Sequence, residues 1–504
     1  MTLTRRSLLA APGLLRAQPH AASRPNILLI LMDDMAARSL SCYGNPYVKT
    51  PHLDRLGEEG VRFTNAYATP QCTPTRASLL TGQSTARNRM WHVIPWYAYP
   101  WARVQEPDYV ENLPRGAFTL AKELKAAGYA TACLGKWHLT ANPDGDYTAL
   151  FPQGAPPYGF DRGWPRPSQE LIAYDRAVDA LTGSAIGFIE ENRNRPWFCY
   201  LSHHAIHRAL AAPPALVEKY RRQGFPETGL NNATLLASME HMDAGIGRVL
   251  ARLDEWKLRE NTAVVYLTDN RGIHRPYLPV PVRQPGGGWR LKPGAFEFDS
   301  TPLREGKGFC YEGGIRVPMI VRWPERIKPG RVEETPAHVV DLLPTLFSMA
   351  GARAPEGYVL DGVNLQPLLE GRARAPQRSL YWYMPLYDIR WCGTPCAAVR
   401  HGDYKLIEYF GDSFDNAPEP NYRLGRRLEL YDLKRDPGEA RDLAGQMPER
   451  VQAMERDLHA WIHSCGAAGS LVNPPPHPPR ARLGLKKRPI GRSPRPGGGG
   501  TIRL

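Results

Sequence analysis

Long apolar runs are missing: no stretch of about 18 or more apolar residues occurs in the 504-residue chain, which excludes a membrane-spanning helix. Cysteine is scarce. Eight cysteines (42, 72, 133, 199, 310, 392, 396 and 465) are too few for a disulfide scaffold. Cys392 and Cys396 are close enough in sequence to pair in an oxidising compartment, and no second Cys/His pair stands at zinc-ligand spacing. There is no internal repeat. Acidic residues are absent from both ends: residues 1–22 carry Arg5, Arg6 and Arg16, and 477–504 carry eight Lys or Arg, so only +3 of the net +14 belongs to the body. So small an excess argues against a basic nucleic-acid groove.

What is present reads as a globular protein with 42 % apolar and 23 % charged residues. Its length predicts one large domain and a smaller one. Residues 1–22, with Thr4-Arg5-Arg6-Ser7-Leu8-Leu9 followed by a short apolar stretch, resemble a twin-arginine export signal, implying a periplasmic or secreted protein. The expected divisions are the signal at 1–22, a catalytic domain at 24–370, a C-terminal subdomain at 371–472 and a basic, Pro/Gly-rich disordered tail at 473–504.

Four apolar runs of strand length, 27–32, 130–134, 197–201 and 263–267, each end abruptly in a polar cluster. The clusters are Asp33-Asp34, Gly135-Lys136-Trp137-His138, Ser202-His203-His204 and Thr268-Asp269-Asn270. Helical patterns at 177–189 and 235–253 lie between runs, so the fold class is α/β: a mainly parallel sheet sandwiched by helices. Ligands of such sheets bind beyond the carboxyl ends of the strands, where these clusters would converge on one site. After about residue 370 short strand-like runs, with a tight turn at His401-Gly402-Asp403, predict a small antiparallel sheet, and 449–463 an amphipathic helix packed on it.

Residues 72–82 open with Cys72-Thr73-Pro74-Thr75-Arg76 and close on Gly82. Thr73 as N-cap, Pro74 at the first helical position and Gly82 as stop predict a short helix with Cys72 at its N-terminus, where backbone N–H groups favour an anion.

Arg24-Pro25-Asn26-Ile27 running into Asp33-Asp34, Thr50-Pro51-His52-Leu53-Asp54-Arg55-Leu56, the Cys72 segment, Gly135-Lys136-Trp137-His138 and Gly306-Lys307-Gly308 leading to Tyr311-Glu312-Gly313-Gly314 together resemble the formylglycine-dependent sulfatases, arylsulfatase-like members of the alkaline phosphatase superfamily. The resemblance runs in order from Arg24 to about Asp442. It implies an alkaline-phosphatase-like fold and a sulfuric ester hydrolase that releases an alcohol and sulfate, carbohydrate sulfates being the expected substrates. Cys72 would be oxidised by a formylglycine-generating maturation enzyme. Its aldehyde hydrate would offer one hydroxyl to attack sulfur and a second to expel sulfate, which a plain thiol cannot do.

By the same resemblance Asp33, Asp34, Asp269, Asn270 and the modified Cys72 would hold Ca2+, with Mg2+ the alternative for such hard oxygen ligands. Arg76, Lys136 and Lys307 would hold the formylglycine and the sulfate oxygens. His138 would act as base, and His207 as substrate contact or acid. The chain departs from the family at Ser202-His203-His204-Ala205-Ile206-His207, which leaves His204 and His207 both open as the substrate contact. It departs again at Arg271, where glycine is usual, before a Pro/Gly-rich stretch at 276–293 that reads as a bland loop.

Trp91, His92, Trp96, Tyr97, Tyr99 and Trp101 cluster, favouring core packing over a sugar platform. The competing functions are a phosphonate or phosphate monoester hydrolase on the same fold and a non-catalytic sulfated-glycan-binding protein.

Overall fold

The computed structural model describes residues 24–467 apart from 37–38, 95–103, 105, 141–157, 166, 208, 274–276, 284–288, 294–297, 299, 389–392, 412, 416–420 and 424. The expected export signal, the basic tail, Trp96, Tyr97, Tyr99, Trp101 and Cys392 therefore lie outside the described residues.

The strands are β1 Asn26–Met32, β2 Val61–Tyr67, β3 Ala130–Gly135, β4 Trp197–Ser202, β5 Thr262–Thr268, β6 Tyr277–Arg283, β7 Trp289–Pro293, β8 Arg316–Arg322, β9 Arg331–Glu333, β10 Ala337–His338, β11 Ser379–Met384, β12 Cys396–His401, β13 Tyr404–Tyr409, β14 Ser413–Asp415, β15 Asn421–Arg423 and β16 Arg427–Asp432. The helices are α1 Pro51–Glu58, α2 Cys72–Thr81, α3 Thr85–Asn88, α4 Leu120–Ala126, α5 Gln169–Asp175, α6 Val178–Asn192, α7 Pro214–Arg222, α8 Ala233–Glu255, α9 Glu312–Ile315, α10 Leu342–Ala350, α11 Gln366–Leu369 and α12 Pro448–Ser464.

The main sheet has the order β10-β2-β8-β5-β1-β4-β3, with β9 also on β2. The pairs β3–β4, β4–β1 and β1–β5 are parallel, as the four apolar runs predict, while β8 runs against β5 and β2. Both faces are covered. Leu28, Ile30 and Met32 of β1 pack with residues of α1, α6, α7 and α8, whereas Ile27, Leu29 and Leu31 pack with α2, α4, α10 and α11. A strand buried on both sides cannot alternate apolar with polar, which is why β1 reads as one unbroken apolar run.

The C-terminal residues form the expected antiparallel sheet, β11-β12-β13-β16, with α12 against β12 and β13. Gly402, at φ +58°, supplies the left-handed backbone of the two-residue turn between β12 and β13. Trp91 is buried against Tyr383 of this sheet, ring centroids 5.5 Å apart, and His92 is buried beside Glu106, so both are core. Cys396 lies 3.6 Å from Cys310, sulfur to sulfur.

Two expectations are corrected. The 276–293 stretch contains the hairpin β6–β7, with a register shift between Leu278 and Pro281. Its prolines argue against a sheet interior, but a two-stranded ribbon has two free edges that tolerate them. Helix α2 starts at Cys72, not Pro74, and its N-cap is Gln71 in an extended conformation. Pro74 is then the third helical residue, and its missing N–H is one that no intrahelical acceptor would have satisfied.

Candidate active site

The polar clusters meet beyond the carboxyl ends of β1, β3, β4 and β5, and α2 delivers Cys72 beneath them. Gly135 is the residue that lets β3 deliver its cluster. Its φ is +100°, and a Cβ there would fall 1.9 Å from the Ser202 carbonyl oxygen, to which the Lys136 N–H donates at 2.8 Å.

Asp33, Asp34, Cys72, Arg76, Lys136, Asp269, Asn270 and Lys307 are all buried. The charges are arranged in pairs: Lys136 Nζ is 2.5 Å from Asp33 Oδ2, Lys307 Nζ is 2.6 Å from Asp34 Oδ1, and Arg76 Nη2 is 2.6 Å from Asp269 Oδ2. Lys307 Nζ also reaches Cys72 Sγ at 3.2 Å. Burial alone would raise the Asp33 carboxyl, but Lys136, His207, Arg76 and Lys307 hold it well below the usual range. Burial would likewise discharge Lys307, and the carboxylates, Asp34 first and then Asp33, keep it charged.

Arg76 is engaged on every side. Nε and Nη2 donate to Asp269 Oδ2, and Nη1 donates to the Lys136 carbonyl at 2.9 Å and to Ser202 Oγ at 2.5 Å. Its guanidinium therefore braces the ends of β3, β4 and β5 against α2.

The Cys72 thiol is pushed up to about 12, by burial first, although Lys136 and Lys307 pull the other way. At neutral pH it is a buried, protonated thiol and a poor nucleophile.

His138 Nε2 is 2.6 Å from the Ile94 carbonyl oxygen. A carbonyl only accepts, so this nitrogen carries the proton and Nδ1, buried with no partner, keeps its lone pair. Burial, then Lys136, hold the ring well below its ordinary pKa, so it stays neutral. His207 Nε2 lies 3.5 Å from Asp34 Oδ2 with its side chain 30 % exposed, and His204 is also partly exposed, although its Nε2 is buried without a hydrogen-bond partner. Of the two histidines left open by the sequence, His207 is the one whose ring nitrogen lies within ion-pair distance of a cluster carboxylate.

Ligand atoms of Asp33, Asp34, Cys72 and His207 lie within 4.8 Å of one another. Asp33 Oδ1 and Asn270 Oδ1 are buried without hydrogen-bond partners, while Asn270 Nδ2 donates to Asp34 Oδ1 at 2.6 Å. The carboxylates crowd one another: burial and then the charge of Asp33 push Asp269 up to about 7 against Arg76 and Lys136. Orphaned oxygens and mutual repulsion among hard donors fit a divalent cation of the calcium or magnesium type.

Several supporting residues escaped sequence reasoning. Thr73 Oγ1 donates to the His138 carbonyl at 2.9 Å, Tyr200 OH stands 3.4 Å from Arg76 Nη1, and Gln71 Nε2 donates to Asp388 Oδ2 at 3.0 Å. Tyr200 lies inside a run that reads as plain strand, and nothing local marks Asp388. Arg271 is buried where glycine is usual, its N–H on the Gly314 carbonyl and Nη1 on that of Arg316, so it ties β5 to the α9 segment.

Comparison with known proteins gives concordant results. The family model described as Sulfatase matches residues 25–352, and that described as N-sulphoglucosamine sulphohydrolase, C-terminal, matches 305–465. Arylsulfatase A of Homo sapiens is 33 % identical, covering 90 % of this chain and 90 % of its own. A solved protein in complex with its substrate D-glucosamine-2-N,6-O-disulfate superposes with TM-score 0.64 at 21 % identity, over 89 % of this chain and all of its own. The phosphonate monoester hydrolase of Silicibacter pomeroyi shares the fold at TM-score 0.62 and 19 % identity, over 87 % and 95 %.

Proposed function

Because the chain belongs to the sulfatase family and is a sulfatase acting on sulfate esters, we propose that it works through Cys72 converted to formylglycine beside a calcium ion, on sulfate groups of a carbohydrate. The observation that carries this reading is the placement of Cys72: an unactivated thiol, 3.2 Å from the Lys307 ammonium, among carboxylates with orphaned oxygens. Such a centre has no use as it stands, and acquires one when the thiol is replaced.

Asp33, Asp34, Asp269 and Asn270 would hold the cation, with magnesium the other ion such oxygens accept. The cation would neutralise sulfate charge, and the hydrated formylglycine would supply a nucleophilic hydroxyl and a second one to release sulfate. Lys136 and Lys307 present two ammonium groups to the sulfate oxygens, worth most in a buried site where no solvent must reorganise. Arg76 acts as a positioning residue, since its N–H groups are spent on Asp269, Lys136 and Ser202. His138 takes a proton at Nδ1, its Nε2–H fixed on Ile94. His207, half-exposed beside Asp34, delivers a proton to the leaving oxygen.

Carbohydrate sulfates are favoured by the solved relative whose substrate is a glucosamine disulfate. The reading also takes residues 1–22 as a twin-arginine signal, placing the enzyme in the periplasm or outside the cell with a maturation enzyme as its partner before export. Among the described residues no helix is long and apolar enough to cross a membrane.

Protein purified from a host that forms formylglycine should hydrolyse 4-nitrophenyl sulfate faster than an aryl phosphonate. Phosphonate preference by a large factor would contradict the substrate assignment, and binding of sulfated glycans without turnover would contradict catalysis.

A further inference from the structure

Between α5 and α6 the chain makes a turn that the catalytic reading does not use. Arg176 and Ala177 both adopt the left-handed conformation, at φ 60° each. Two consecutive non-glycine residues in that region cost backbone energy that glycine would avoid, and such cost persists where a side chain is wanted in one place. The turn is held from behind: Asp175 Oδ2 accepts from the Asp179 N–H at 2.9 Å and lies 3.1 Å from His241 Nε2. Ala177 N and Arg176 N close back on the Leu171 and Ile172 carbonyls.

What the turn displays is a guanidinium without a counter-ion. Arg248, by contrast, has a carboxylate partner at the same turn, Asp179. Among the described residues Arg176 has no hydrogen bond or ion pair from its side chain, and its Nε is buried and unpartnered. The side chain is only partly covered, so solvent still reaches it. Its electrostatic neighbours are Asp33 and His204, the first a member of the carboxylate cluster and the second a partly exposed ring beside it. Burial makes the charged form costly and Asp33 only partly offsets this. An arginine fork held near a sulfate-binding centre, with no anion of its own, is suited to an oxyanion from outside.

We propose that Arg176 is a specificity residue that binds a second anionic group of the substrate, a carboxylate or a further sulfate, beside the sulfate being removed. The inference rests on the catalytic reading above, and it narrows the substrate to sulfate esters carrying at least two negative groups.

The test uses non-hydrolysable anions as competitive inhibitors of 4-nitrophenyl sulfate hydrolysis. A series of α,ω-alkane disulfonates and ω-sulfocarboxylates of increasing length is compared with the matching monosulfonates. At one or more lengths the wild-type enzyme should bind the dianion about tenfold or more tightly than the monoanion, as expected for one charge-assisted contact. Arg176→Gln should remove that preference and Arg176→Lys retain part of it. Arg176→Gly removes the cation and the strain at that one position, and an unfolding midpoint no lower than that of the wild type shows that a folding defect does not account for its loss of preference. A better fit of disulfonates identifies a second sulfate, and of sulfocarboxylates a uronate-type carboxylate. The proposal is overturned if the wild type shows no dianion preference at any length, or if Arg176→Gln keeps it. It is also overturned if monosulfonate and dianion binding fall equally, which would make Arg176 a support for Asp33 and His204. Should the enzyme turn over no sulfate ester, the catalytic reading fails, while calorimetric titration of the same anions still decides the role of Arg176.

Discussion

Lys307 and Cys72 stand 3.2 Å apart, Nζ to Sγ, and the same ammonium lies 2.6 Å and 2.8 Å from the two oxygens of Asp34. One cation thus touches both the residue to be modified and a proposed metal ligand. Replacing it by alanine should lower kcat/KM for 4-nitrophenyl sulfate by roughly 10²- to 10³-fold, the usual loss for one preorganised electrostatic contact. Steady-state kinetics check this, with peptide mass analysis to confirm that formylglycine still forms.

Arg76 should matter to stability as much as to rate. Its buried guanidinium is paired with Asp269 at 2.6 Å and bonded to the ends of β3 and β4. Arg76→Met strips Asp269 of its guanidinium partner and drives this buried carboxyl, already pushed up to about 7, to take up a proton, which should destabilise the protein by about 3–5 kcal/mol. Chemical denaturation measures the loss.

A second buried ionic group joins the two sheets. Lys405 Nζ of β13 is 2.8 Å from Glu312 and 2.7 Å from Glu439, and Glu312 Oε2 accepts from Tyr67 OH of β2 at 2.7 Å. Lys405→Met strands two carboxylates and should cost about 3–5 kcal/mol. A triple replacement of Lys405, Glu312 and Glu439 by apolar residues should cost less than the single one, and denaturation of both variants decides it.

Asp243 gives a pH signature. Burial first, with Asp54 and Glu240 adding to it, pushes this carboxyl up to about 7 against the N–H groups of Leu53 and His52. The unfolded chain ionises it near its ordinary value of about 3.9. Between these values the folded state holds a proton that the unfolded state does not, so stability falls as pH rises from about 4 to about 7. Urea denaturation across that range should show the decline in the wild type and a flatter profile in Asp243→Asn.

Much of the site was legible because four buried strands had to end in polar residues at one sheet edge. Asp33, Lys136, Ser202 and Asp269 follow from that pattern, and the paired register of β1 with β4 and β5 brings them together. The start of α2 was misplaced because Thr73 has a capping side chain, yet it donates to the His138 carbonyl instead. The β6–β7 hairpin was hidden by prolines that are costly in a sheet interior but harmless in a two-stranded ribbon. Arg176, Tyr200 and Lys405 were illegible because their significance comes from residues distant in sequence, and a buried charge looks no different from a surface one until its partners are placed.

Mass analysis of the tryptic peptide 63–76, joined to an assay on the same preparation, bears most directly on the chemistry assigned to Cys72. Active enzyme from a converting host should yield this peptide about 18 Da lighter than the cysteine form, with specific activity proportional to the converted fraction. Full hydrolytic rate from protein in which Cys72 is entirely unmodified would contradict it.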